Sequence, residues 1–223
     1  MHFATLVVTE TDKYEELFEK LAPFEEGLEI AQEENEDGDY WYNPKAQWDS
    51  YSIGGRYNKR LLTLSGNRVN TSKFKDLDLQ TMVLETRERR KKTLSENYSF
   101  LKFCELWHQN KQRYLDYLEE YRNGDKNKCF GYAIIDKFDS EEAWRDFFNL
   151  FEEGKGLDPE EGYDSPEEYI ALSQPISAFS FLALDGEWHE CKFRKNKEWD
   201  RKLPELVKNI NPEHWVTIVD IHI

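Results

Sequence analysis

The architecture follows from one run of residues, His2-Phe3-Ala4-Thr5-Leu6-Val7-Val8-Thr9. Both alternating faces of this run are rich in apolar and β-branched side chains, which is typical of a central strand buried on its two sides. Residues 215–221 show a second long strand pattern, which places Asp220 and His222 on one face. If the two strands pair antiparallel, His2 and His222 lie close together.

Other segments surround these two strands. Apolar residues at helical spacing predict a helix at residues 13–21, and residues 76–122 show a helical pattern without a strand signal. Another strand is predicted at residues 129–135, followed by a helix that begins at Ser140. The dipeptide Asp185-Gly186 indicates a hairpin.

The order of these elements favours an α+β fold. We expect a mostly antiparallel sheet with helices on one face, for which a ferredoxin-like arrangement is one option. The helical pattern predicts an insertion at about residues 74–124 of a single domain spanning residues 1–223. The acidic stretch at residues 32–39 predicts an exposed loop.

Composition limits the classes of function. The formal net charge of −15 makes direct binding of a nucleic-acid backbone unfavourable. The three cysteines lie far apart, at Cys104, Cys129 and Cys191, so a zinc ribbon is not indicated, and we expect a cytoplasmic protein. No apolar run approaches the ~20 residues that a membrane-spanning helix needs. Composition indicates no particular cofactor.

Residues 48–60 form the most distinctive local segment, with aromatic rings on either side of a Gly-Gly-Arg step. The glycines allow close approach of an anion to backbone amides, and a guanidinium matches phosphate or carboxylate. The rings offer faces for a base or ribose, and the carboxylate can orient the arginine or bind a ligand hydroxyl. The predicted ligand-binding residues are Trp48, Asp49, Tyr51, Gly54, Gly55, Arg56 and Tyr57. The alternative is a tight turn in which Trp48 and Tyr57 pack in the core and Arg56 pairs with Asp49.

A second candidate site contains His2, Asp220 and His222. Two imidazoles and a carboxylate suit proton transfer, so these residues are the predicted catalytic group. The same set would suit a metal ion, although we predict none. The plainer alternative is that polar residues mark the point where a strand leaves the core.

The segment Trp48-Asp49-Ser50-Tyr51-Ser52-Ile53-Gly54-Gly55-Arg56-Tyr57 resembles the Trp-Asp-Trp-Tyr-x-Ile-Gly-Gly-Arg-Trp motif of an uncharacterised family of bacteriophage and prophage proteins. Members are also similar at Met1-His2-Phe3, at the hairpin Gly186-Glu187-Trp188-His189, and at their Val-Asp-Cys-His-Ile ending. Ser50 replaces a tryptophan of the family motif, and Ile221 replaces the cysteine. The resemblance implies a phage setting in a bacterial host and implies no particular reaction.

Two functional hypotheses follow. The first is a phage accessory protein, with a role against host defence, that binds a nucleotide-like anionic small molecule and either sequesters or cleaves it. The second is an acidic inhibitor without enzymatic activity that imitates nucleic acid and binds a host defence protein. Whether the protein is an enzyme stays open at this point.

Overall fold

The computed structural model describes residues 1–35, 38–96, 98–123, 157–192 and 195–222. The predicted α+β class with a mostly antiparallel sheet is confirmed. The strand predicted at residues 129–135 and the helix after Ser140 lie outside the described residues. No helix in the described part of the chain is long and apolar enough to cross a membrane.

The described residues contain ten strands and five α-helices. The strands are β1 (His2–Thr9), β2 (Ala31–Asn35), β3 (Gly38–Tyr42), β4 (Ser50–Ile53), β5 (Leu61–Leu62), β6 (Arg68–Val69), β7 (Thr71–Lys73), β8 (Ser180–Leu182), β9 (Trp188–Glu190) and β10 (Trp215–His222). The helices are α1 (Tyr14–Leu21), α2 (Leu79–Leu94), α3 (Phe100–Asn123), α4 (Pro166–Ala171) and α5 (Asn196–Lys208).

The main sheet has the strand order β4-β10-β1-β8-β9, and β7 also pairs with β10. The β1 and β8 strands are parallel, whereas the other pairs of this sheet are antiparallel. Strand β10 runs the full length of β1, with His2 opposite His222 and Thr9 opposite Trp215. The condition under which His2 and His222 lie close together, antiparallel pairing of these two strands, is therefore met.

One face of the sheet carries a hydrophobic core. Apolar side chains from β1, β8 and β10 pack there with residues of α1 and of the segments that follow it: Val7, Leu17, Leu21, Phe24, Trp48, Leu182, Val219 and Ile221. Because side chains alternate along a strand, Asp220 and His222 project from the opposite face to Val219 and Ile221. The polar candidates thus share the face that this core does not use.

The chain divides into two compact units. The first contains Met1–Val83, Gln174–Cys191 and Lys202–Ile223, and it includes the main sheet. The second contains Leu84–Ser173 and Lys192–Arg201. It therefore extends past the insertion expected at about residues 74–124, and the single domain stays a prediction.

The second unit encloses a buried ion pair. Nη2 of Arg90 donates to Oδ2 of Asp200 at 2.6 Å, and the Tyr163 hydroxyl donates to the same oxygen at 2.6 Å. Arg90 also donates to the Tyr169 carbonyl and lies over the Tyr169 ring, 4.2 Å from its centroid. Burial raises the pKa of Asp200, although the charge on Arg90 opposes that rise.

Two local predictions need correction. The described residues of the acidic stretch, 32–35 and 38–39, lie in the antiparallel strands β2 and β3, because cross-strand pairs such as Glu33 with Tyr40 outweigh their low strand propensity. Helix α1 begins at Tyr14, one residue after its predicted start, and its N-cap is Lys13. Glu16 reaches back and accepts hydrogen bonds from the amides of Glu10 and Thr11.

Candidate functional site

The two candidate clusters of the sequence form one site, because β10 lies between β1 and β4. The register sets His2 opposite His222 across β1 and β10, and Ser52 opposite Asp220 across β10 and β4. The motif segment that contains β4 is therefore hydrogen-bonded to the strand that carries Asp220. Histidines and motif residues meet at the same end of the sheet.

Asp220 is a buried carboxylate that accepts hydrogen bonds from two groups among the described residues. Its side chain is only 4% exposed. Nδ1 of His2 donates to Oδ1 at 3.0 Å, and the backbone amide of Arg56 donates to Oδ2 at 2.8 Å. Asp220 therefore holds the His2 ring in one orientation and connects it to the Gly-Gly-Arg turn.

A second carboxylate orients the other histidine. Nδ1 of His222 lies 2.9 Å from each oxygen of Asp49, and the Asp49 amide donates to the His222 carbonyl at 2.9 Å. The hydrogen bond from His222 lowers the pKa of Asp49. Asp49 was predicted to orient the arginine, and the structure pairs it with His222 instead; its binding of a ligand hydroxyl stays a prediction.

The two imidazole rings meet edge to face, with their centroids 4.8 Å apart. Since Nδ1 of each ring faces its own carboxylate, Nε2 is the nitrogen that each ring can offer to a ligand. Neither Nε2 has a hydrogen-bond partner among the residues that the structure describes. The arrangement gives two oriented imidazoles that can take up or release a proton at adjacent positions.

The glycine pair is required for close packing. A Cβ on Gly55 would lie 2.4 Å from Oδ2 of Asp220, and a Cβ on Gly54 would lie 2.5 Å from Nδ2 of Asn70. Both residues also have a positive φ, +74° for Gly54 and +44° for Gly55. The amide of Gly54 already donates to the Ile218 carbonyl at 2.8 Å, so the prediction that it is free for an anion is wrong.

The turn after the glycines presents positive charge to solvent. Arg56, Lys59 and Arg60 are exposed. The Arg60 guanidinium lies 4.7 Å from the centroid of the Tyr57 ring. Within the described ranges the Arg56 guanidinium has no side-chain partner, so the alternative in which it pairs with Asp49 is wrong. These cations can bind an anion in front of the turn.

The aromatic residues of the motif do not provide open stacking faces. Trp48 is 5% exposed, and its Nε1 donates to the Leu21 carbonyl at 3.1 Å within the core. Tyr51 packs against the same core, and its hydroxyl lies 3.0 Å from that of Tyr14. The stacking role predicted for these two rings is therefore wrong, because the rings pack in or against the core and their polar atoms are hydrogen-bonded.

Tyr57 helps to hold the site together. Its hydroxyl donates to the backbone carbonyl of His2 at 2.9 Å. Burial raises the pKa of this hydroxyl, and the nearby charge of Asp220 adds to the effect. Tyr57 thus positions the His2 backbone, a contact that residue spacing alone did not predict.

The predicted catalytic group His2, Asp220 and His222 is brought together, as are Gly55 and Arg56 beside it. Sequence reasoning missed the role of Asp49. Asp49 lies directly before β4, one residue from the position opposite His222, so its role follows only once the pairing of β4 with β10 is known. Among the described residues, no group of three or more His, Cys, Asp or Glu side chains is arranged to hold a metal ion.

No protein-family model, curated protein or solved structure matches this chain. The resemblance to a phage family therefore remains an expectation from the motifs alone. The geometry of the two aspartate–histidine pairs is the evidence on which a function can be proposed.

Proposed function

We propose that the protein binds a nucleotide-like anion at this site and cleaves a phosphodiester bond by general acid–base catalysis. The observation that carries the proposal is the pair of imidazoles, 4.8 Å apart, each oriented through Nδ1 by a separate aspartate. Catalysis of this type needs one neutral and one protonated group held beside the reacting bond. His2 and His222 supply two candidates for these roles.

In the reaction, Nε2 of the neutral imidazole takes the proton of the attacking hydroxyl, which belongs to water or to a ribose. The oxygen forms a bond to phosphorus as the bond to the leaving oxygen breaks. Nε2 of the protonated imidazole gives its proton to that leaving oxygen. Asp220 and Asp49 fix the tautomers of His2 and His222 and stabilise whichever ring is positive.

The exposed cations beside the site favour an anionic substrate. The backbone amide of Arg56 donates to Asp220, which also accepts from His2, so Arg56 is anchored directly beside the histidine pair. Lys59 and Arg60 add charge of the same sign in a chain of net charge −15. A local positive region of this kind attracts phosphate groups and offers a guanidinium that can bind them through two hydrogen bonds.

The activity would suit a phage accessory protein that removes a small nucleotide signal in an infected bacterial cell. Binding without cleavage would give the same outcome by sequestration. The two forms differ in one measurable respect, since only cleavage consumes the ligand. Both require the cationic turn, whereas only cleavage requires the two imidazoles.

The direct test is incubation with cyclic mononucleotides, cyclic dinucleotides and linear dinucleotides, with products separated by chromatography. We expect turnover of at least one of them, with a bell-shaped dependence of the rate on pH. The substitutions His2→Asn and His222→Asn should each reduce the rate by about 100-fold or more. His108→Asn, at an exposed histidine in the second unit, is the control and should leave the rate unchanged.

Binding is measured separately by calorimetry. Arg56→Ala should weaken binding, whereas His222→Asn should leave it largely intact. If no nucleotide of the panel is bound or cleaved, or if both histidine variants turn over ligand like the unmodified protein, acid–base cleavage is excluded. Binding without turnover would leave sequestration as the function.

A further inference from the structure

The hairpin β2–β3 forms a two-stranded sheet of its own in the first unit. Its register places Gln32 opposite Trp41 and Glu34 opposite Asp39. Ala31 and Tyr42 are partly exposed, and the side chains between them that the structure describes are exposed on both faces. An isolated two-stranded hairpin is only marginally stable in water, so such an exposed one gains from a binding partner.

On one face of the hairpin, the polar side-chain groups form hydrogen bonds with one another. The hydroxyls of Tyr40 and Tyr42 donate to the two oxygens of Glu33 at 2.7 Å and 2.6 Å. These hydrogen bonds lower the pKa of Glu33, and the hydrogen bond from Tyr42 has the larger effect. The contacts fix the strands against each other and make the hairpin a defined surface.

The opposite face combines an aromatic ring with carboxylates. Trp41 is 54% exposed, and alternation and register place it on one side with Gln32, Glu34 and Asp39. Gln32 donates to Oδ2 of Asp39 at 2.6 Å. Glu34 has no side-chain partner within the part of the chain that the structure describes. The face therefore presents a large ring beside two negative groups.

This combination selects a particular partner group. A guanidinium stacks on an indole ring and pairs with a carboxylate in the same plane, whereas an ammonium offers no planar fork. Tryptophan is also among the residues that contribute most to protein interfaces. A second copy of this chain is a poor partner, because each copy carries a net charge of −15.

We propose that the Trp41 face of this hairpin docks an arginine-rich segment of another protein. The function of this surface is separate from that of the histidine site. It gives the acidic composition a specific place to act, through a guanidinium over Trp41 and the carboxylates of Glu34 and Asp39. The partner must therefore carry arginines in an exposed segment that can reach the Trp41 ring.

Peptide binding tests this proposal. The probes are two extended peptides of equal length and charge, one with arginine and one with lysine at every second position, measured by calorimetry at physiological salt. We expect the arginine peptide to bind about tenfold more tightly, and Trp41→Ala to weaken its binding by about tenfold. Leu101→Ala, at an exposed apolar residue of the second unit, is the matched control.

Charge is tested by two double variants that remove equal numbers of carboxylates from the first unit. Glu34→Gln with Asp39→Asn should weaken binding of the arginine peptide, whereas Glu15→Gln with Glu19→Gln on α1 should change it little. Circular dichroism and thermal melting establish that each variant is folded. The charge variants keep the proposal testable even if Trp41→Ala does not fold.

Equal affinity for the two peptides, or equal losses in the two double variants, would show only general attraction to an acidic protein and would overturn the proposal. Dimerisation in sedimentation that Trp41→Ala abolishes would also overturn it and would make this face a self-interface. The nucleotide assay is run in parallel on the same variants. Its failure bears on the histidine site alone, because these substitutions lie outside that site.

Discussion

Asp220 and Asp200 are two buried carboxylates of the described residues, and their partners differ in kind. Asp220 in the first unit accepts from His2 and from a backbone amide, and Asp200 in the second unit accepts from Arg90 and Tyr163. Their side chains are 4% and 9% exposed, so burial does not distinguish them. The difference lies in the partner. An arginine keeps its charge at all relevant pH values and completes an ion pair, whereas an imidazole keeps a second nitrogen for exchange of a proton with a ligand.

The largest effect is expected where the structural ion pair is broken. Arg90→Met removes the guanidinium that pairs with the buried Asp200 carboxylate, which should lower the free energy of unfolding by about 3 to 5 kcal/mol. Thermal or denaturant melting of the second unit measures this change. Lys92→Met, at an exposed residue of the same helix, should have almost no effect. A loss in Arg90→Met no larger than in this control would show that the pair is not structural.

A smaller loss in the free energy of unfolding is expected when an added side-chain atom clashes with Asp220. Gly55→Ala introduces a Cβ against the Asp220 carboxylate at a positive φ, so we expect a loss of about 2 to 3 kcal/mol in unfolding free energy, with reduced turnover. Gly66→Ala is the control, because Gly66 has a φ of +82° with no atom within 4 Å of the added Cβ. That variant should lose only about 1 kcal/mol and keep its activity. Equal losses would mean that contact with Asp220 contributes nothing.

Asp49 is the exposed aspartate of the two aspartate–histidine pairs, so its substitution separates an effect on catalysis from an effect on stability. Asp49→Asn removes the carboxylate that orients His222, so the rate of phosphodiester cleavage should fall about tenfold. The melting temperature should stay close to that of the unmodified protein, because Asp49 is 42% exposed. Asp220→Asn should reduce both rate and melting temperature. An unchanged rate in Asp49→Asn would exclude His222 as an acid or base.

The smallest effect concerns pH and the surroundings of Asp200. Burial raises the pKa of Glu161 to about 7, and the charge of Asp158 adds to the rise. A carboxyl with a raised pKa stabilises the fold below its unfolded value and loses that contribution as pH rises through about 7. The free energy of unfolding should therefore fall by on the order of 1 kcal/mol between about pH 5 and pH 8. Glu161→Gln should flatten this dependence, and an unaltered slope would assign it to other groups.

Alternation along the last strand placed Asp220 and His222 on one face, and His2 was expected to join them if the two long strands pair antiparallel. Asp185-Gly186 likewise predicted the β8–β9 hairpin, because local turn chemistry is written in adjacent residues. The Asp49–His222 contact was not predictable, since it depends on β4 pairing with β10 across most of the chain. Trp48 was misjudged for a related reason. Whether a ring is exposed depends on what packs over it, and here the Leu21 carbonyl accepts from its indole.

The central position of β10 has a consequence for how the protein acquires activity. This strand pairs with β1, β4 and β7, which all come from much earlier parts of the sequence. Pairings between segments so distant in sequence form slowly, because a large loop must close before any contact is gained. The two imidazoles therefore become neighbours only when β10 pairs with β1. During refolding, the recovery of catalytic turnover would therefore report when β10 has paired with β1.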